Sequence, residues 1–256
     1  MSQIETNWNP ELYNNKHAFV YGYGESLIEL LNPQKDERIL DIGCGSGQLT
    51  QKIAELAKEA VGLDYSADMI ADAKAKFPEV TFKVASAADF EFDEKFDALF
   101  SNAALHWVTS YKEAAQCMYK SLKTGGRLVL EMGGKGNVGI IVSELKNQLV
   151  IKGYPTQAAM ELWYFPSVGE YASVLEEAGF RVTFAQHYDR PTELADAATG
   201  IKDWLSMFGK TFFEGVATED IESIKEAVQQ NVKSSCFVDG KWYADYKRLR
   251  IIAVKE

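Results

Sequence analysis

No apolar run in the 256-residue chain approaches the roughly 18 residues of a membrane-spanning helix. Cysteine is scarce. Cys44, Cys117 and Cys236 stand apart, without the close pairing of a metal site, and read as reduced thiols. Cys44, between two glycines, reads as a small filler rather than a reactive nucleophile. Histidine is equally sparse, at His17, His106 and His187, and no His/Asp/Glu cluster has ligand spacing, so no metal is expected. Positive charge is in deficit. Lys and Arg number 27 against 37 Asp and Glu, a formal net charge of -10 with a pI near 5.0. That balance argues against a nucleic-acid partner or an anionic membrane surface. The start, Met1-Ser-Gln-Ile-Glu-Thr, lacks the basic segment and apolar core of a secretory leader, so a cytoplasmic protein is expected. What remains is ordinary for a globular protein, with 46% hydrophobic and 25% charged residues. The length suits one large α/β domain, or a core with an appended lid.

The informative stretch is Arg38-Ile39-Leu40-Asp41-Ile42-Gly43-Cys44-Gly45-Ser46-Gly47. It reads as a short buried strand that breaks into alternate glycines. A helical pattern follows, with Leu49, Ile53, Leu56 and Ala57 on one face. Strand, glycine loop and helix open a nucleotide-binding α/β unit, whose loop must let backbone approach a ligand closely. A pyrophosphate loop reads G-x-G-x-x-G and leaves its anion space uncharged. This loop reads G-x-G-x-G and carries Asp41 at the strand end, where a carboxylate repels phosphate and suits a cationic amino-acid end. Asp64 closes the second strand, Ala60-Val61-Gly62-Leu63, where a carboxylate can take ribose hydroxyls. Ribose, ammonium and no phosphate describe S-adenosyl-L-methionine (SAM).

Asp41-x-Gly43-x-Gly45-x-Gly47 followed by Asp64 resembles the class I SAM-dependent methyltransferases. Two further stretches resemble the enzymes related to trans-aconitate methyltransferase, Trp8-Asn9-Pro10-x-x-Tyr13 and Asn102-Ala-Ala-Leu-His106-Trp107, and Ala87-Ala88-Asp89-Phe90 follows the third strand. The resemblance implies an arm that helps close the site, with Tyr13 as a cofactor contact; the alternative is an aromatic-rich arm that packs on the domain. It implies cofactor contacts from Tyr65 and Met69 beside Asp64, and an acid, Asp89, next to Ala88 for the adenine amino group. Asn102 would meet the cofactor's methionine end. The alternative for Asp89 is a solvated loop acid. The product of transfer would be S-adenosyl-L-homocysteine (SAH).

Five strands alternate with helices and two more finish the chain, which gives a doubly wound, Rossmann-like α/β sheet. The resemblance makes it seven-stranded with an antiparallel last strand. Ser66 reads as an N-cap, and Ser110-x-x-Glu113 and Ser167-x-x-Glu170 as capping boxes. The expected division is an N-terminal arm and helix over 1–32 and a core over about 33–133, 167–189 and 241–256. Insertions over about 134–166 and 190–240 leave the sheet after strands five and six and are expected to join as a helical lid.

Methyl transfer needs positioning more than acid–base help, and near-attack geometry can supply roughly 7–11 kcal/mol of the barrier. His106 is the catalytic candidate, as substrate-positioning group or base. Trp107, Tyr164 and Arg190 are the other substrate-contact candidates. Arg190 is the only arginine in either insertion, whereas a tricarboxylate would call for several cations. The substrate is therefore read as a small molecule, with a carboxylate oxygen as the acceptor. A malonyl thioester on a carrier protein is the alternative acceptor. A non-catalytic SAM-binding regulator and an NAD-dependent oxidoreductase are the rivals from other classes, and the oxidoreductase does not account for Asp41 and Gly47. Oligomeric state is left open.

Overall fold

The structure, a computed structural model, describes residues 19–256, with side chains from Gly24 onward. The Trp8–Tyr13 arm and His17 lie outside the described residues. After a helix over Phe19–Leu31 come β1 (Arg38–Ile42), β2 (Glu59–Asp64), β3 (Thr81–Val84), β4 (Phe96–Asn102), β5 (Leu122–Gly133) and β6 (Phe180–Asp189). Three short strands follow, β7 (Thr192–Glu193), β8 (Phe237–Val238) and β9 (Lys241–Ala244), and then β10 (Lys247–Lys255).

The main sheet has seven strands in the order β3-β2-β1-β4-β5-β10-β6. β1 pairs in parallel with β2 and β4, as do β2 with β3 and β4 with β5, while β10 runs antiparallel to β5. The strands read as near-continuous apolar runs because helices cover both faces. On one face Leu27, Leu31, Ile39, Ile53 and Phe100 pack together; on the other Leu40, Phe96, Leu99, Met118, Leu130 and Tyr171 do so.

Local signals divide. Ser66 caps its helix by accepting from Met69 N, and Ser167 and Glu170 form the reciprocal capping box. Ser110 precedes its helix but makes no side-chain cap, so the second expected box is absent there. Leu56 is exposed rather than part of the buried face, because the helix after the glycine loop ends at that residue.

The chain divides into two compact units. The first holds the sheet and spans residues up to 135, then 163–187 and 248–256; the second spans 136–162 and 188–247. Trp163-Tyr164-Phe165, expected within the first insertion, groups with the sheet. Taken by itself, the second unit contains helices over Gly139–Ile151, Gly200–Phe208 and Thr218–Asn231, with β7, β9 and β8 as a small sheet. Asp239 and Gly240, both at positive φ, turn β8 into β9. Within this unit Leu145, Leu149, Ile201, Trp204, Leu205, Phe212, Ile224 and Val228 are buried. Tyr154 donates to Asp220 at 2.8 Å and Trp204 Nε1 to Tyr246 Oη at 2.8 Å. Much of the aromatic content of the insertions is thus used as this unit's own core.

Candidate active site

Parallel pairing brings the ends of β1, β2, β4 and β5 to one edge of the sheet, the edge where open α/β sheets bind ligands. Antiparallel β10 starts at that edge. The glycine loop, Asp64, Asn102 and Gly133 therefore converge with the first residues of β10.

Gly43, Gly45 and Gly47 have φ of 75°, 54° and 82°, a region that favours glycine. Two of them also lack room for a side chain. A Cβ at Gly43 would overlap the Cβ of Ala104, and one at Gly47 would meet the Phe82 ring at 2.7 Å. At Gly45 a Cβ would meet nothing within 4 Å among the described residues. The middle of the loop thus presents bare backbone to open space, as a loop that receives a ligand must.

Asp64 is half-buried. Its carboxylate accepts from Gly45 N at 2.9 Å through one oxygen and from Ser66 N at 2.9 Å through the other. It clamps the loop to the end of β2 and keeps further lone pairs for a diol. Burial pushes its carboxyl up, and the backbone donors at Ser66, Gly45 and Tyr65 oppose that.

Asp41 is 3% exposed, and its carboxyl accepts from the Thr50 hydroxyl at 2.6 Å. This bond braces β1 against the following helix. Loss of hydration pushes the pKa of Asp41 up to about 7. Cys44 is buried beside it and its thiol is pushed up by burial and by the two carboxylates, which fits a filler.

Met69 is buried and its sulfur accepts from Ser46 Oγ at 3.4 Å, while Tyr65 is exposed. Ala88 N donates to Ser86 Oγ at 3.2 Å, which shapes the turn after β3, and Asp89 next to it is exposed. Asn102 ends β4, where Ser101 Oγ donates to Ile42 O at 2.8 Å and ties β4 to the root of the glycine loop.

Beyond Asn102, Leu105–Trp107 form one 3-10 turn. His106 is 7% exposed, and its Nδ1 accepts from Gly133 N at 3.3 Å. Its ring lies 5.7 Å from Trp107 and 5.6 Å from Phe165, and Trp107 and Trp163 meet edge to face at 5.4 Å. Tyr164 N donates to His106 O at 2.8 Å, and the Tyr164 ring stacks on Tyr111 at 3.9 Å. Burial, and then the nearby charge of Arg248, hold the His106 imidazolium well below its usual range, so the ring is neutral. Arg190 lies in the second unit, where its backbone N–H donates to Tyr246 O at 2.8 Å.

Residues 40–130 match the family model described as a methyltransferase domain. An uncharacterized methyltransferase of Schizosaccharomyces pombe is 32% identical over 98% of this chain and 99% of its own length. The chain belongs to the class I SAM-dependent methyltransferases. A trans-aconitate 2-methyltransferase of Acidovorax ebreus is 26% identical over 96% of this methyltransferase and 97% of its own length. The fold matches phosphoethanolamine N-methyltransferase 2 of Haemonchus contortus, solved with S-adenosyl-L-methionine, with a TM-score of 0.60 at 16% identity. That likeness covers 98% of this methyltransferase and 58% of the nematode chain. The protein is an enzyme, and its cofactor is SAM. No described helix is long and apolar enough to cross a membrane.

The sequence reading missed Thr50, Ala104, Gly133, Glu131 and Arg248. One signal was available for the last two. Glu131 interrupts the apolar run Leu128-Val129-Leu130-Glu131-Met132 of a central strand, and Arg248-x-Arg250 supplies two cations on one face of another.

Proposed function

We propose that this enzyme methylates a carboxylate oxygen of a small organic acid, with His106 as a hydrogen-bond donor to the substrate rather than a base. The observation that carries the proposal is the bond from Gly133 N to His106 Nδ1. A neutral imidazole has one acceptor nitrogen. With Nδ1 accepting, Nε2 carries the proton, so neither nitrogen is free to take one. Burial and Arg248 further disfavour the imidazolium that a base would become. An acceptor that had to lose a proton would find no help from this residue. A carboxylate, with an unperturbed pKa near ~4, is ionised at neutral pH.

The open backbone at Gly45 and the Asp64 carboxylate fit the cofactor's amino-acid and ribose parts. When bound, SAM supplies a methyl group on a sulfonium sulfur that keeps the electron pair of the breaking bond. Asp64 would hold the ribose hydroxyls, with Tyr65 and Met69 as further cofactor contacts, Ala88 and Asp89 for the adenine and Asn102 for the methionine end. His106 Nε2–H orients the acceptor, and the Trp107, Trp163 and Phe165 rings exclude water from it. The likeness to trans-aconitate 2-methyltransferases supports an acid as substrate.

The test is a screen of small carboxylic acids with methyl-labelled SAM, each acid run beside its primary amide. Base-labile methyl ester formed from at least one acid, with no transfer to the amides, is the expected result. Transfer only to amines, alcohols or carbon would overturn the proposal.

A further inference from the structure

Two carboxyl groups sit at the glycine loop, and among the described residues neither has a cationic partner. Asp41 lies on β1 opposite Gly62 of β2, and Asp64 ends β2 two residues further on. Their charges are met differently. Asp64 takes one backbone donor on each oxygen, from Gly45 and Ser66. Asp41 is buried more deeply, and among the described residues its carboxyl accepts from the Thr50 hydroxyl alone.

One neutral hydroxyl does not offset the lost hydration of a carboxylate, and the charge of Asp64 works against it as well. The other groups around Asp41 bring no relief. The buried Cys44 thiol stays protonated, and across β4 the paired residue is Phe100. The carboxyl is pushed up to about 7, so without a ligand Asp41 holds a proton below neutral pH. What the loop lacks is a positive charge, and SAM carries two, an ammonium and a sulfonium.

We propose that Asp41 exchanges a proton for the cofactor's positive charge: neutral in the empty enzyme, it releases its proton to solvent when a cationic group of SAM is seated at the glycine loop. Asp64, with its backbone donors, stays ionised in both states. Binding below the titration of Asp41 must then expel a proton. Apparent affinity for SAM falls toward about tenfold per unit as pH drops below about 7, and levels off above.

The test is calorimetric titration of SAM into the full-length enzyme at pH 6, in buffers that differ in ionisation enthalpy. An α-amino group, with a pKa near ~8, is fully charged there and contributes no proton of its own. Close to one proton should be released per site, and affinity should rise about tenfold or more from pH 5.5 to 7.5. Asp41→Asn should release almost none and show a nearly flat affinity profile. S-Adenosyl-L-homocysteine keeps the ammonium and lacks the sulfonium. Release with both ligands assigns the exchange to the ammonium, and release with SAM alone to the sulfonium. 5′-Methylthioadenosine, which has neither charge, should release none. Should the Asn variant not fold, Thr50→Val decides, because loss of the hydroxyl donor should move the midpoint of the affinity profile to higher pH. An unmoved midpoint, no release by the wild type, or undiminished release by the Asn variant or with 5′-methylthioadenosine would overturn the proposal.

Discussion

The two halves of the sheet edge are built in opposite ways. The half around β1 and β2 is local: Asp41, the three glycines, Thr50 and Asp64 lie within 24 residues of chain. The half around β4, β5 and β10 joins His106, the neighbours Glu131 and Gly133, and Arg248, three separate stretches of chain that meet through strand pairing. The glycine loop and Asp64 come from one supersecondary unit, whereas His106 and its surroundings are assembled from three strands.

The largest effect should come from joining the halves by force. Gly43 sits at positive φ with Ala104 against it, so the cofactor loop touches the segment leading to His106. Gly43→Val adds backbone strain and overlap, and should cost about 4 kcal/mol or more. Urea unfolding would measure it; a loss under about 1 kcal/mol would mean that the halves are not in tight register.

Asp41→Asn comes next, and its effect depends on pH. The carboxyl of Asp41 titrates at about 7 when folded and near ~4 when unfolded. Between those values the folded state keeps a proton that the unfolded state releases. Stability therefore falls as pH rises from about 4 to 7 and levels off above. The Asn variant lacks this loss, so its advantage over the parent should grow across that window, by an amount on the order of 2–4 kcal/mol. Melting curves from pH 4 to 8 would show it. Parallel curves would mean that Asp41 is ionised throughout.

Asp64→Ala should weaken SAM by roughly 1.5–3 kcal/mol, the scale of charged hydrogen bonds, in a protein that still folds. Calorimetry with SAM checks this. Unchanged affinity would detach the ribose from Asp64 and leave that carboxylate only its clamp on Gly45 and Ser66.

The same contrast explains what could be read in the sequence. The glycine loop, Asp64 and the order of strands and helices were legible because each has a local cause: turn chemistry, a strand end, a periodic apolar face. The burial of Asp41 was not, because it depends on Thr50 nine residues later turning back across the strand. The Ser110 box had the right letters, but the chain enters that helix without the side-chain bond that Ser167 makes. Trp163–Phe165 read as insertion because they follow a helix of the second unit, yet Tyr164 bonds the backbone of His106. Arg248 could not be placed beside Gly133 from the sequence, because only the antiparallel pairing of β10 with β5 brings it there.

The central claim is that His106 donates a hydrogen bond and removes no proton. Single-turnover methyl transfer, measured from pH 6 to 8 on an acceptor acid with the enzyme saturated, tests it most directly. The account predicts a nearly flat rate, since neither the carboxylate acceptor nor the buried neutral His106 gains or loses a proton in that range, and a His106→Gln enzyme that keeps most of it. A rate that falls tenfold per unit on the acid side, with a loss of about a hundredfold or more in the Gln variant, would make His106 the base and contradict the account.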